Sequence, residues 1–313
     1  MKAFKNVIFI LVFALIGMQF YAYISDDSKS EKMLKPIIAV SSFSLYDIIK
    51  HIAQDSVKIV NILPLGVDPH SFEPTPKLMI DIEKSDLVIY SGAGLEPWTH
   101  GFSFKNRAID MSKHVVLREL KADEHEHHKH HDEQCAHNTI DPHYWLDFAN
   151  MQRATVLIKD ELIKLQPKYT ELYEKNAQEY LLMLETLDKN YKKYLSSCRS
   201  NVVIVNHNAI GYLANNYNFR VEALSGLSPE AQPSAKDLTR IFNEIKKEGA
   251  TTIFFENFIN DKAIRTVAND ANVELEVFQA LGNITKDEAD KNLTYKEIMY
   301  TNLNKLSKAL MCN

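Results

Sequence analysis

Cysteine is scarce in this chain. Three residues, Cys135, Cys198 and Cys312, in 313 are too few for a fold stapled by disulfides. Cys198 and Cys312 can pair in an oxidising compartment, but spacing alone does not decide connectivity. Cys135 sits among histidines, as a free thiol or an auxiliary metal ligand. A basic excess is also missing. The formal net charge is -5 and the pI about 6.2, so no field attracts phosphate backbones and nucleic acid is excluded as a partner. A small cation meets no opposition. Tight ligand pairs such as C-x-x-C or H-x-x-x-H are absent outside one histidine-rich stretch, and so is HExxH. Their absence argues against a local structural zinc knuckle and the commonest metalloprotease signature.

Long apolar runs are missing except at the amino terminus. There Lys2 and Lys5 precede the apolar residues 7–18, the layout of a secretory signal. No A-x-A-like cleavage site follows, and no cysteine is present there to carry a lipid. Apart from Gln19, apolar character continues to Ile24, about the shortest stretch that spans a bilayer. Residues 1–24 are therefore expected to be an export signal or an uncleaved anchor. The body then lies outside the cytoplasm, in the periplasm where the cell has an outer membrane.

What is present describes a globular protein. Apolar residues make up 45% and charged residues 25%, enough for a sizeable core and a solvated surface. The length favours two domains. After the polar SDDSKSEK, short β-branched runs at 37–40, 57–63 and 87–90 alternate with helical patterns at 45–54 and 77–84. This is the grammar of βαβ units and a largely parallel sheet. It returns in VVIVNH, FRVEAL, TTIFFE and VELEVF, separated by helices expected from near Asn208, Ser234 and Asn260. Ser234 and Asp237 have capping-box spacing.

Between the halves, Tyr169, Tyr173, Ala177, Tyr180, Leu184, Leu187, Tyr191 and Tyr194 recur at spacings of four and three, one apolar stripe on a helix. Pro167 suits its first turn. Over 168–197 that helix would run roughly 45 Å, long enough to traverse both halves; a partnering coiled coil is the competing reading. The expected fold is α/β, with two lobes of parallel-rich sheet at 25–166 and 198–313 joined by one long helix at 167–197. DEHEHHKHHDEQCAHN, residues 123–138, has almost no apolar content and reads as a mobile surface loop.

Three histidines stand out. His70, in GVDPHSFEPTP, follows the strand VKIVNIL; His207 ends VVIVNH in the other half; His143 lies in DPHYWLD. Ligands of open α/β sheets bind beyond the carboxyl ends of strands, and the first two are expected to occupy equivalent strand ends facing each other across a cleft. Taken singly, each has a bland reading, a turn histidine or a buried one satisfied by backbone. Together they are a neutral-imidazole set drawn from separate segments, which makes a bound ion part of the interface between the halves.

The segments GVDPHSFEPTPKLMIDIEKSDLVIYSGAGLEPW, DPHYWLD, VNHNAIGYL, GLSPEAQPSAKDL and IFFENFIND resemble, in order, the motifs of metal-binding solute-binding proteins of ABC transporters, the zinc and manganese cluster. The resemblance runs from about Ile37 to the carboxyl end. It implies two α/β lobes joined by a rigid helix, one ion in the cleft held by His70, His143 and His207, and a monomer that delivers it to a membrane permease. Two departures matter. Where the family often has an aspartate, in a motif like LDPLG, this chain has FQALG with Gln279; where another variant has a glutamate before the first histidine, it has Pro69. The fourth position then falls to water first, or to the Gln279 oxygen or a loop group.

Three imidazoles without a carboxylate favour Zn2+ over manganese, with one place of the tetrahedron open. The loop's His125, His127, His128, His130, His131 and His137 either gather zinc weakly and pass it inward, or bind metal opportunistically on a solvated linker. Asp68 and Asp141, two residues before His70 and His143, are candidates to orient those rings, although Asp-x-His often only makes a turn. Glu96 and Trp98 resemble cleft residues of the family, and Trp98 also suits a core. The rival readings are a manganese or iron carrier of the same architecture, an extracytoplasmic metal buffer, and a zinc-dependent hydrolase with Glu256 as its acidic group.

Overall fold

The alternation of β-branched runs and amphipathic segments becomes two parallel four-stranded sheets. The computed structural model describes residues 35–120, 140–225, 233–257 and 262–313. The leader at 1–24, the histidine-rich loop with Cys135, and parts of GLSPEAQPSAKDL and IFFENFIND lie outside these residues. No helix among the described residues is long and apolar enough to cross a membrane.

The first sheet is built from β1 (Ile37–Val40), β2 (Lys58–Asn61), β3 (Leu87–Tyr90) and β4 (Arg107–Asp110), with α1 (Phe43–Ala53) and α2 (Pro76–Glu83) between them. Its order is β2-β1-β3-β4, all parallel. In α1, Leu45, Ile48, Ile49 and Ile52 fall at helical spacing and are fully buried. α2 starts where the Thr75 hydroxyl accepts from the Leu78 amide and Pro76 takes the first turn, a cap that contributes about 1 kcal/mol.

A two-stranded antiparallel ladder, β5 (Arg118–Glu119) with β6 (Ile140–Asp141), leads into α3 (Phe148–Leu165) and α4 (Thr170–Tyr194). The second half runs β7 (Val202–His207), α5 (Gly211–Tyr217), β8 (Arg220–Ser225), α6 (Ala235–Glu248), β9 (Thr252–Phe255), α7 (Lys262–Ala271), β10 (Glu274–Val277), α8 (Lys286–Asp290) and α9 (Tyr295–Ala309). Ser234 and Asp237 form the expected capping box at α6. The second sheet is ordered β10-β9-β7-β8, again parallel. Counted from its own first strand, each sheet has the order second, first, third, fourth. In both, the connections reverse direction between the first and third strands, which opens the crevice where α/β sheets bind ligands.

Helix α4 ties the halves together. Tyr173, Ala177, Tyr180, Leu184, Leu187 and Tyr191 are buried as the stripe requires, and they share one core with Ile48 and Ile52 of α1 and Leu303 and Leu306 of α9. Asn176 donates to the Ile52 carbonyl (2.9 Å), Tyr180 to Asp47 (2.7 Å) and Tyr191 to the Met299 carbonyl (2.7 Å). The helix is shorter than the sequence pattern suggests. Its 25 residues span about 37 Å at ~1.5 Å each, and Tyr194 is 46% exposed. Beyond the helix end, Cys198 pairs with Cys312 through a disulfide and an antiparallel bridge. Closing that 114-residue separation stabilises by about 5 kcal/mol in the chain-entropy account.

Candidate metal centre

The three histidines arrive from separate elements. His70 lies on the β2–α2 connection, which is fastened to the second half. Asn283 donates from Nδ2 to the carbonyls of Pro64 (2.7 Å) and Val67 (2.8 Å), and the Gly66 amide donates to the Ile284 carbonyl (2.9 Å). His143 lies two residues beyond the end of β6. Trp145, two residues on, donates from its indole to the Ala280 carbonyl (2.6 Å), and its ring meets the His143 ring edge-on with centroids 5.4 Å apart. His207 is the last residue of β7 and is 2% exposed, as is His143; His70 is partly exposed.

One ring nitrogen from each residue lies within 4.8 Å of the other two, and no other such group of His, Cys, Asp and Glu occurs among the described residues. His70 Nε2 and His143 Nε2 are 3.2 Å apart. A tetrahedral zinc site with bonds of about 2.0–2.1 Å spaces its nitrogens roughly 3.4 Å apart, so this edge has the size a zinc ion needs.

Carboxylates stand behind the rings. Asp141 Oδ1 accepts from His143 Nδ1 (2.9 Å) and from the His143 amide (3.0 Å). That contact puts the proton on Nδ1 and leaves Nε2 as a lone-pair donor. Glu256 Oε1 stands 2.5 Å from His207 Nδ1. Neither ring nitrogen of His207 makes a well-formed hydrogen bond, so the Glu256 contact is one of charge. Asp68 does not reach the ring of His70. It accepts from the His70 amide (3.0 Å) and so makes the turn.

The electrostatics differ from ring to ring. Burial holds His70 well below the ordinary imidazole range, and His143 and His207 reinforce this. For His207 burial acts downward, but the Glu256 carboxylate, with Asp68 and Asp141, outweighs it and leaves the ring above the ordinary value. Carboxylates therefore dominate at His207, whereas burial and the neighbouring imidazoles dominate at His70.

Gln279 is buried but occupied elsewhere. Its oxygen accepts from the Leu281 amide (3.1 Å) and its nitrogen donates to Glu288 (2.7 Å). Trp98 belongs to a satellite core with Phe102 and Phe104. Glu96 is enclosed among Ser41, Ser91 and Gly92, with no histidine against it.

Contrary to the expectation from sequence, His70 and His207 are not at equivalent strand ends: His207 ends the first strand of its sheet, a central one, whereas His70 follows the second strand of the other sheet, an edge. The first strand of the other sheet, β1, ends at Val40 and is followed by Ser41, not by a histidine. Sequence reasoning also missed the Glu256 contact, because only the adjacency of β7 and β9 in the sheet brings that residue beside His207.

Residues 38–309 match the family described as the zinc-uptake complex component A, periplasmic, ZnuA. The chain belongs to the ZnuA family. It is 32% identical over 292 residues to the high-affinity zinc uptake system protein ZnuA of Bacillus subtilis, covering 92% of this chain and 90% of that protein. It is 29% identical over 277 residues to the zinc-binding lipoprotein AdcA of Streptococcus pneumoniae, covering 87% of this chain but only 55% of that protein. The crystal structure of the Zn(II)-bound ZnuA-like domain of the same AdcA superposes with a TM-score of 0.73 at 27% identity, over 88% of this chain and 99% of that one. ZnuA-family proteins are solute-binding components of transport, not enzymes, which sets aside the hydrolase reading and gives Glu256 a place behind a histidine instead of a catalytic one.

Proposed function

We propose that this chain captures Zn2+ outside the cytoplasmic membrane, holds it through His70, His143 and His207, and delivers it to the permease of an ABC transporter. The observation that carries the reading is the convergence of three buried or half-buried imidazoles with no carboxylate in the group. Manganese prefers oxygen donors, whereas zinc accepts imidazole readily. Asp141 and Glu256 are engaged on the outer nitrogens of two of the rings, and Gln279 has both ends of its amide bonded, so water completes the tetrahedron. The family's zinc-uptake role and the Zn(II)-bound relative support the same ion.

The domain organisation follows from this role. A leader at 1–24 carries the chain out of the cytoplasm, lobes at 25–166 and 198–313 supply His70 and His143 on one side and His207 on the other, and the helix between them fixes their spacing. The protein works as a monomer, and the histidine-rich loop gathers zinc at lower affinity.

Competition titration of the metal-free protein against a chromophoric chelator tests the reading. One tightly held zinc per chain, not displaced by equimolar manganese, is expected. Displacement by manganese would move the assignment to a manganese carrier, and hydrolytic turnover abolished by His207→Ala would overturn it.

A further inference from the structure

We propose that Arg118 is a positioning residue for the metal centre, acting through Asp141 on His143, and that Gly211 is a glycine in order to leave room for it. The proposal rests on the reading of His143 as a zinc ligand and adds to it a control from the other half of the chain.

The Asp141 side chain is wholly enclosed and its two oxygens are divided between two tasks. Oδ1 takes the ring nitrogen and the amide of His143. Oδ2 accepts from Arg118 Nη1 at 3.1 Å, and the Arg118 side chain is itself only 18% exposed. A buried carboxylate with partners on both oxygens has one orientation. Without the guanidinium, Oδ2 would be a desolvated acceptor lacking its charged donor, and the carboxylate would turn to find another. The oxygen that holds the His143 ring would turn with it.

Arg118 is placed by residues far away in sequence. Its amide donates to the Tyr212 hydroxyl (2.8 Å), which donates on to the Asp141 carbonyl (2.9 Å). The β5–β6 register sets Arg118 directly opposite Asp141. Beside Tyr212, Gly211 opens α5. A Cβ at Gly211 would lie 2.3 Å from Arg118 Nη1 and 2.9 Å from Asp141 Oδ2, closer than real Cβ contacts come. Gly211 is not among the glycines with positive φ, so its backbone does not demand glycine, and alanine would be the better helix former there. What demands glycine is the approach of the guanidinium–carboxylate pair. The start of a helix in the second half thus sets the arginine, the arginine sets the carboxylate, and the carboxylate sets the imidazole.

The test compares zinc affinities of the full chain by chelator competition in five forms: wild type, Arg118→Met, Arg118→Lys, Gly211→Ala and the Gly211→Ala/Arg118→Met double variant. Thermal melts of the metal-free proteins report folding separately. Arg118→Met is expected to weaken zinc binding about ten-fold, the low end for partners of metal-ligating histidines. Arg118→Lys should recover part of that loss, since it keeps the charge without the fork. Gly211→Ala should weaken binding on its own, by about three-fold or more, yet add less in the Arg118→Met background than in the wild type, because both changes break the same contact. Additive losses, no rescue by lysine, or an Arg118→Met affinity within about two-fold of wild type while only the melting temperature falls would overturn the proposal. The underlying reading fails differently: His143→Ala would then bind zinc as tightly as wild type.

Discussion

The two sheets share a strand order and fill the same crevice with different chemistry. In the first, the end of β1 supplies Ser41 and the segment after β3 supplies Glu96, with Ser41 Oγ donating to Glu96 Oε1 at 2.5 Å. In the second, the end of β7 supplies His207 and the residue after β9 supplies Glu256, again 2.5 Å apart. Glu96 is 1% exposed, and it also accepts from the amides of Ser91 (2.8 Å) and Gly92 (2.9 Å). Both of its oxygens thus have donors. His207 has no hydrogen bond on either ring nitrogen, and one of its nitrogens lies within 4.8 Å of the ligand nitrogens of the two other imidazoles. Topology supplies the place in both halves; hydrogen-bond saturation closes one and leaves the other able to take an ion.

The strongest way to break this comparison is to exchange the fates of corresponding residues. His207→Ala removes a proposed direct zinc donor and should weaken binding by roughly a hundred-fold or more, beyond the ~10–100-fold range for outer partners. Ser41→Ala, at the corresponding strand end, should leave zinc affinity unchanged in the same titration.

Glu256→Gln is the next largest. Loss of the charge behind His207 should weaken zinc binding by about ten-fold and also alter its pH dependence. Zinc must displace a proton from His207, whose pKa the carboxylate raises. In the wild type, affinity therefore falls as pH drops through a value above the ordinary imidazole range. In Glu256→Gln that fall should begin at lower pH. His70, held low by burial, does not compete for protons in that window. Isothermal titration across pH 5.5–8, about the range in which imidazoles charge, checks both effects.

Glu96→Gln should do the opposite of Glu256→Gln. By disturbing a saturated buried network it should lower unfolding free energy by about 1–3 kcal/mol in denaturant titrations, with zinc affinity unchanged. Deleting residues 123–138 should have the smallest effect, leaving the tight site intact. Loss of tight binding on that deletion would show that the loop supplies a primary ligand in place of water.

The strand and helix alternation was legible because the β-branched runs and the stripe of α4 carry their own periodicity, and the capping box at Ser234 marked its helix start directly. His70, His143 and His207 were legible as candidates because each stands next to a strand end or turn in a motif of some length. Their outer partners divide by distance along the chain. Asp141 could be named because it lies two residues from His143. The Glu256 contact, Arg118 and Gly211 could not, since only the pairing of β7 with β9 and the packing of α5 on the β5–β6 ladder bring them to the site. The supposed equivalence of His70 and His207 failed for the same reason. Strand order in a sheet is a long-range property that local patterns do not encode.

The central claim is that three imidazoles converge on one ion. A crystal structure of the zinc-loaded protein, with anomalous scattering collected at the zinc edge, tests it most directly. The account predicts a single strong peak bonded to ring nitrogens of His70, His143 and His207, with a water oxygen in the fourth place. A peak held by other side chains, or one from which any of these three rings is turned away, would contradict it.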